Sequence, residues 1–372
     1  MGLIILACII KYPSLRFGGD YAAATGQTLI ESYRKQGRWA IVIYALFEVG
    51  GAAFVIAAIT LFLTGLVHSA LVPQLPGVAV SAGLLSIITA LLISGKYRLL
   101  ESMTTVMVVL FTILILVATS LATPRLFQSP LVFLPPMIDG TLVLYLLPLI
   151  GFMPTTPTAS VMQSLWTVAK YEGLAARDSR GVRLDFDIGY ITTCFLALCF
   201  IVLGAALLHN NGIVIEKSNI GFAEQLLQVF TDVLGAWTFP IVAGAAFLVI
   251  FSTLITVVDG LTRVSVALWH MVKSPAYEQT EVQRYRVTMI ILCSAAFTVI
   301  VGFAKSFTVL IDFLGLITFL IGPFIAWLNH RAMFDSKTAL SYYPGGFLRV
   351  WSLLSIAALL GLGLTYLIFR LK

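Results

Sequence analysis

The chain is predicted to be an all-α polytopic membrane protein, and three observations lead there. Hydrophobic residues make up 59% of its 372 positions and charged residues 11%, against roughly 45–50% and about 25% in soluble domains. Mean hydropathy is +1.00, beyond what an ordinary soluble core of this length requires. The apolar residues also fall into ten segments, each long enough to cross ~30 Å of hydrocarbon as a helix.

The predicted spans run over residues 2–23, 39–67, 77–95, 100–122, 141–168, 187–208, 236–258, 287–304, 307–328 and 348–369. The first holds three charged residues, Lys11, Arg16 and Asp20, which face protein or snorkel to the interface rather than bind a solute. The second carries Glu48, and its Gly50 and Gly51, followed by Ala52 and Ala53, are expected to let a neighbouring helix approach closely. The third and fourth are uninterrupted apolar runs, whereas the fifth contains two prolines, Pro154 and Pro157, near its middle. The seventh ends at Asp259 and Arg263, spaced i,i+4 as a surface ion pair that anchors a cytoplasmic helix end.

Basic residues set the orientation. If residues 24–38 face the cytoplasm, sixteen Lys and Arg lie in inside loops against five in outside loops, the remaining two being Lys11 and Arg16 within the first span. That bias places the positive charge inside and both termini outside. Met1 then has no cytoplasmic lead ahead of the first apolar run, so the chain reads as one that begins a helix late, through a miscalled start, a fragment or a shortened protein.

The break in the fifth span is the feature of greatest consequence. Pro154 and Pro157 lack an N–H, so the carbonyls four residues earlier, of Ile150 and Met153, lose their intrahelical donors. Lipid supplies no replacement. Such backbone survives only where it is buried in protein or lines a cavity, and in transporters breaks of this kind build the solute or ion site. Beside the freed Ile150 carbonyl, Met153 offers a soft thioether suited to Mn²⁺ or Fe²⁺ over Mg²⁺ or Ca²⁺, although a methionine in an apolar span also serves as packing. Thr155, Thr156 and Thr158 supply either hydroxyl ligands or donors to the freed carbonyls, the latter role suiting Thr158 best.

Glu48 lies about a third of the way into its span, where an ionised carboxylate facing lipid costs several kcal/mol. It is either a proton relay or a neutral acid hydrogen-bonded between helices. The four cysteines, Cys8, Cys194, Cys199 and Cys293, sit in apolar segments at no zinc spacing, and His68, His209, His270 and His330 fall at span ends or in loops. Neither a nucleotide-binding loop nor a nucleophile–base constellation is present, so nucleotide-driven pumping, intramembrane catalysis and nucleic-acid binding are not expected.

Three segments resemble one family. Lys11-Tyr12-Pro13 with Arg16-Phe17-Gly18-Gly19-Asp20 through Gly26 is similar to the second span of the Nramp divalent-metal transporters, particularly their divergent bacterial branch. Gly151 to Trp166 resembles their sixth span and Phe251 to Gly260 their eighth, so residues 1–372 form a single transmembrane transporter domain covering family spans two to eleven. The resemblance implies a LeuT-type fold of two inverted five-helix repeats, with metal held between broken first and sixth spans. In the family's Met-Pro-His-Asn motif, Met153 and Pro154 match, while Thr155 and Thr156 replace His and Asn; Ile150 takes the position whose carbonyl is a ligand. The family's first span has no counterpart in the chain. Glu48 matches a glutamate on the family's proton route, and the acid expected three residues earlier is Ala45. The resemblance therefore implies a proton-coupled secondary transporter of divalent cations in a bacterial inner membrane, with no cofactor besides the transported ion. The alternatives are a carrier of another solute or a harder, Mg²⁺-like cation on the same fold, and an inactive truncated protein.

Overall fold

The computed structural model describes residues 2–95, 98–126, 149–172, 178–209, 212–272, 279–303, 306–334 and 344–371. The α-helices are α1 (Gly2–Thr25), α2 (Leu29–Gln36), α3 (Arg38–Ala70), α4 (Gly77–Ser94), α5 (Arg98–Leu126), α6 (Ala159–Lys170), α7 (Ser179–Leu203), α8 (Asn219–Leu234), α9 (Phe239–Val272), α10 (Gln279–Phe303), α11 (Phe307–Phe334) and α12 (Gly346–Leu371). A π-helical turn, Gly204–His209, continues α7, and a 3-10 turn, Ala236–Thr238, leads into α9. Among the described residues, eight helices are long and apolar enough to cross a bilayer, and α5 adds a shorter apolar stretch, Val108–Pro124. The remaining predicted span is the broken one, whose first residues, 141–148, lie outside the described set.

Several helices run past the predicted spans: α10 begins at Gln279 rather than 287, α11 ends at Phe334 rather than 328, and α9 and α7 show the cause. Helix α9 runs 34 residues, to Val272, well past the predicted end at 258, and α7 begins at Ser179 rather than 187. In both cases the added turns carry charge that a hydropathy window rejects but a helix accommodates. On α9, Arg263 Nε lies 2.7 Å from Asp259 Oδ2, the pair expected there, and Tyr285 donates to the other oxygen at 2.6 Å. On α7, Asp178 caps the first turn by accepting from the Gly181 N–H at 2.9 Å.

The two halves of the chain repeat one device. A short capped helix ends at a glycine with positive φ, a tryptophan follows two residues later, and then comes a long helix. In the first half, Thr28 and Glu31 form a reciprocal capping box at the start of α2; Gly37, at φ 144°, and Trp39 then lead into the 33-residue α3. In the second, Ser218 accepts from the Gly221 N–H to cap α8, and Gly235, at φ 97°, and Trp237 precede α9. Helices α3 and α9 pack against one another at the centre, and α1 packs against α6, α7, α11 and α12.

Small residues decide where helices touch, though not at the positions expected. A methyl group on Gly18 would overlap the Ser160 carbonyl, joining α1 to α6, and one on Gly151 would overlap the Gly315 carbonyl of α11. Gly50 and Gly51, in contrast, have open space where a Cβ would stand. They continue the outward stripe of α3 that exposes Leu46 and Val49, and only Ala52 and Ala53 turn inward. The close approach predicted at the two glycines is therefore absent, because a run of small residues does not state which face it occupies.

Candidate functional site

The break divides the fifth span into two parts. Residues 149–152 are helical, and the Met153 N–H donates to the Leu149 carbonyl at 2.9 Å. A non-helical stretch follows, and α6 resumes the helix at Ala159. Past the break the carbonyls are taken up locally: Thr156 accepts from the Ala159 N–H at 3.0 Å, and Pro157 accepts from the Ser160 hydroxyl at 2.8 Å. Before the break the Leu149 carbonyl is likewise taken up, but the Gly151 carbonyl is met by a side chain from another helix.

The group that fills this gap comes from α1. Lys11 reaches across, and its Nζ donates to the Gly151 carbonyl at 2.5 Å and to the Thr155 carbonyl at 3.3 Å. Only 3% of Lys11 is exposed, so of the two fates expected for it, facing protein or snorkelling, the first holds. Its neighbours on α1 do likewise. The Arg16 guanidinium lies 3.0 Å from Asp20, whose other oxygen is 3.8 Å from Arg183; Arg16 also donates to the Tyr12 hydroxyl, which donates to Asp187 at 2.6 Å. Tyr12, Arg16, Arg183 and Asp187 line a cavity of about 790 Å³ together with Tyr190 and Trp351. Pro13 frees the Ile9 carbonyl, and the Trp351 indole N–H supplies the missing donor at 3.1 Å.

A second polar chain leads away from the break. The Asn329 amide on α11 donates to the Ser160 hydroxyl at 2.9 Å and to the Ser14 carbonyl at 2.8 Å, while its oxygen accepts from the Tyr33 hydroxyl at 2.5 Å. The Tyr33 ring meets Tyr44 edge-on at 5.3 Å. One turn further along α3 stands Glu48, 5% exposed and next to the Tyr44 hydroxyl. Asn329 is thus the junction of four elements, and replacing it should be costly. We predict that Asn329→Ala lowers stability by about 1–3 kcal/mol, since it strands buried partners at both ends; an unchanged melting midpoint in detergent would show that the junction contributes nothing.

A profile of the natural resistance-associated macrophage protein-like (Nramp) family matches residues 2–369. The chain belongs to the Nramp family. Its members are transporters, so the chain is an integral membrane protein and not an enzyme. Solved structures of the Eremococcus coleocola manganese transporter superpose on 98% of the chain and 78% of their own, at 12% identity. The TM-score is 0.71 for a histidine-to-alanine mutant and 0.70 for a complex with an aromatic bis-isothiourea substituted compound. This likeness establishes the LeuT-type fold implied by the sequence resemblance. An uncharacterized protein of Pasteurella multocida (strain Pm70) is 28% identical over 332 residues, 88% of the chain and 76% of its own length.

Within this Nramp frame the predicted site residues gather at one place, apart from Glu48. Ile150 is 4% exposed and packs with Ala7, Phe319 and Tyr366; Met153 is half-buried beside the same group and touches the cluster around Cys8 and Tyr190. Thr155 contributes its carbonyl to Lys11, whereas the Thr156 and Thr158 hydroxyls bond one another at 3.0 Å and not the freed carbonyls. Ala45, standing where the resemblance places an acid, borders a cavity of about 780 Å³ with Ser265, Arg284 and Thr288. Among the described residues, no three His, Cys, Asp or Glu cluster at metal-binding distance. The residues that sequence reasoning missed are Lys11 and Asn329. Lys11 was visible only as a charge in an apolar span, and Asn329 as one polar residue near a helix end.

Proposed function

We propose that the chain is a secondary transporter of divalent metal cations of the Mn²⁺ or Fe²⁺ class, loaded at the break between residues 149–152 and α6. The observation that carries this reading is the break itself, held open between α1 and α11 in a member of a divalent-metal transporter family. Met153 supplies a soft donor, the Ile150 carbonyl and a hydroxyl of Thr155 or Thr156 supply hard ones, and that mixture suits Mn²⁺ over Mg²⁺. Similarity to a manganese transporter supports the same cargo. Rocking of the bundle about the break would expose the site to each side in turn. Glu48 is the proposed proton relay, joined toward the break by Tyr44, Tyr33 and Asn329. The biased basic loops support a bacterial plasma membrane location with the C-terminus outside.

The experiment is uptake into proteoliposomes with Mn²⁺ or Cd²⁺ as tracer and Mg²⁺ or Ca²⁺ as competitor. We predict that Met153→Ala reduces Cd²⁺ and Mn²⁺ uptake by about tenfold relative to Mg²⁺, because it removes the one soft side chain at the break. An unchanged ion ranking would leave Met153 as packing among Ile150 and Phe319. A second reading, transport of another solute, is favoured by the lysine at the break and by the threonines in place of His and Asn. Uptake insensitive to every divalent competitor would select it.

A further inference from the structure

We propose that Lys11 is the resident cation of the break: its Nζ holds the Gly151 and Thr155 carbonyls, immediately beside the Ile150 carbonyl and Met153 assigned to the transported divalent cation, so the cation enters only by displacing the lysine charge. This rests on the divalent-metal reading. Residues 149–152 end with carbonyls aimed out of the helix, the negative end of its dipole, and Gly151 is pinned there by contact with the α11 backbone. Lys11 takes the Gly151 and Thr155 carbonyls together from a position 140 residues away in the chain. No carboxylate pairs with it among the described residues; Asp20, the acid on its own helix, is engaged by Arg16 and Arg183. Among the described residues Lys11 is therefore held by carbonyl dipoles, adjacent to the Ile150 carbonyl that the metal reading assigns to the cation.

A lysine merely tolerated in an apolar span extends its stem to the membrane surface. Lys11 points inward, and its flexible four-carbon stem allows it to leave the carbonyls without moving α1. Two cations within a few ångströms of each other in a poorly screened interior repel strongly, so occupancy by Lys11 and by metal is mutually exclusive. Lys11 then acts as a specificity-determining residue: it keeps the break ordered when no cargo is present, and it admits only cations that bind the carbonyls and Met153 well enough to displace it.

The test is calorimetric titration of Cd²⁺ and Mn²⁺ into the purified full chain and into Lys11→Gln, Lys11→Met and Lys11→Arg. Removing the charge is expected to raise Cd²⁺ affinity by at least about tenfold, whereas Lys11→Arg keeps the charge and gains nothing. Lys11→Gln retains a donor for the two carbonyls, so it carries the test if Lys11→Met does not fold. Cd²⁺ binding that is unchanged or weaker in Lys11→Gln, while Met153→Ala still abolishes it, overturns the resident-cation role and leaves the metal reading standing. Absence of Cd²⁺ and Mn²⁺ binding in both the parent and Lys11→Gln overturns the two together.

Discussion

Pro154→Ala combined with Pro157→Ala is expected to cut uptake severely while leaving membrane insertion and monodispersity intact. The substitutions restore N–H groups that can donate to the Ile150 and Met153 carbonyls, so residues 149–170 can form one continuous helix. Each proline costs a helix interior about 3 kcal/mol or more, and removing both favours the unbroken form by roughly 6 kcal/mol. One term opposes this. In a continuous helix the Gly151 and Thr155 carbonyls accept from residues 155 and 159, which strands Lys11 without the partners it now holds; leaving a buried charge unpartnered costs about 3–5 kcal/mol. The proline term is the larger, and a surplus of about 1.4 kcal/mol already means a tenfold depletion of the broken conformation. With about 1–3 kcal/mol left over, tracer uptake in proteoliposomes should fall by about five- to a hundredfold, further still with Lys11→Met added. Uptake at the parent rate would remove the break from the transport site.

Much of the fold was legible because lipid enforces it. Backbone groups in hydrocarbon must bond within their own helix, so long apolar runs become helices wherever the structure describes them; a single proline such as Pro13 or Pro323 is carried within a helix, whereas the Pro154–Pro157 pair is not. Pro154 and Pro157 were read correctly as a break for that reason. What stayed hidden depends on which face of a helix meets which neighbour. Gly50 and Gly51 look like a packing motif, yet α3 turns them outward, while the close approaches occur at Gly18 and Gly151. Helices α2 and α8 are not among the predicted spans because 8 and 16 residues are too few to cross a membrane. Lys11 was the largest omission at the site. Its partners are carbonyls, which no residue identity announces, and they lie on a segment distant in the chain.

Glu48→Gln is expected to destroy the pH dependence of transport, and Glu48→Ala to damage the fold; the pair of substitutions separates a relay from a structural acid. A relay has to release and rebind a proton, which an amide of the same size does not do, so Glu48→Gln should stop proton entry with little change in stability. A permanently neutral acid would tolerate that exchange. The surroundings argue for the relay. Glu48 is only 5% exposed and interacts with the Tyr44 hydroxyl one turn earlier, so its polar neighbour is a group that can itself pass on a proton. From Tyr44 the path continues by ring contact to Tyr33, whose hydroxyl is bonded to Asn329 and through it to Ser160 at the edge of the break. A pH-sensitive dye trapped in proteoliposomes reads the outcome directly: proton entry through Glu48→Gln equal to that of the parent would eliminate the relay, and metal movement would then have to be driven by membrane potential alone.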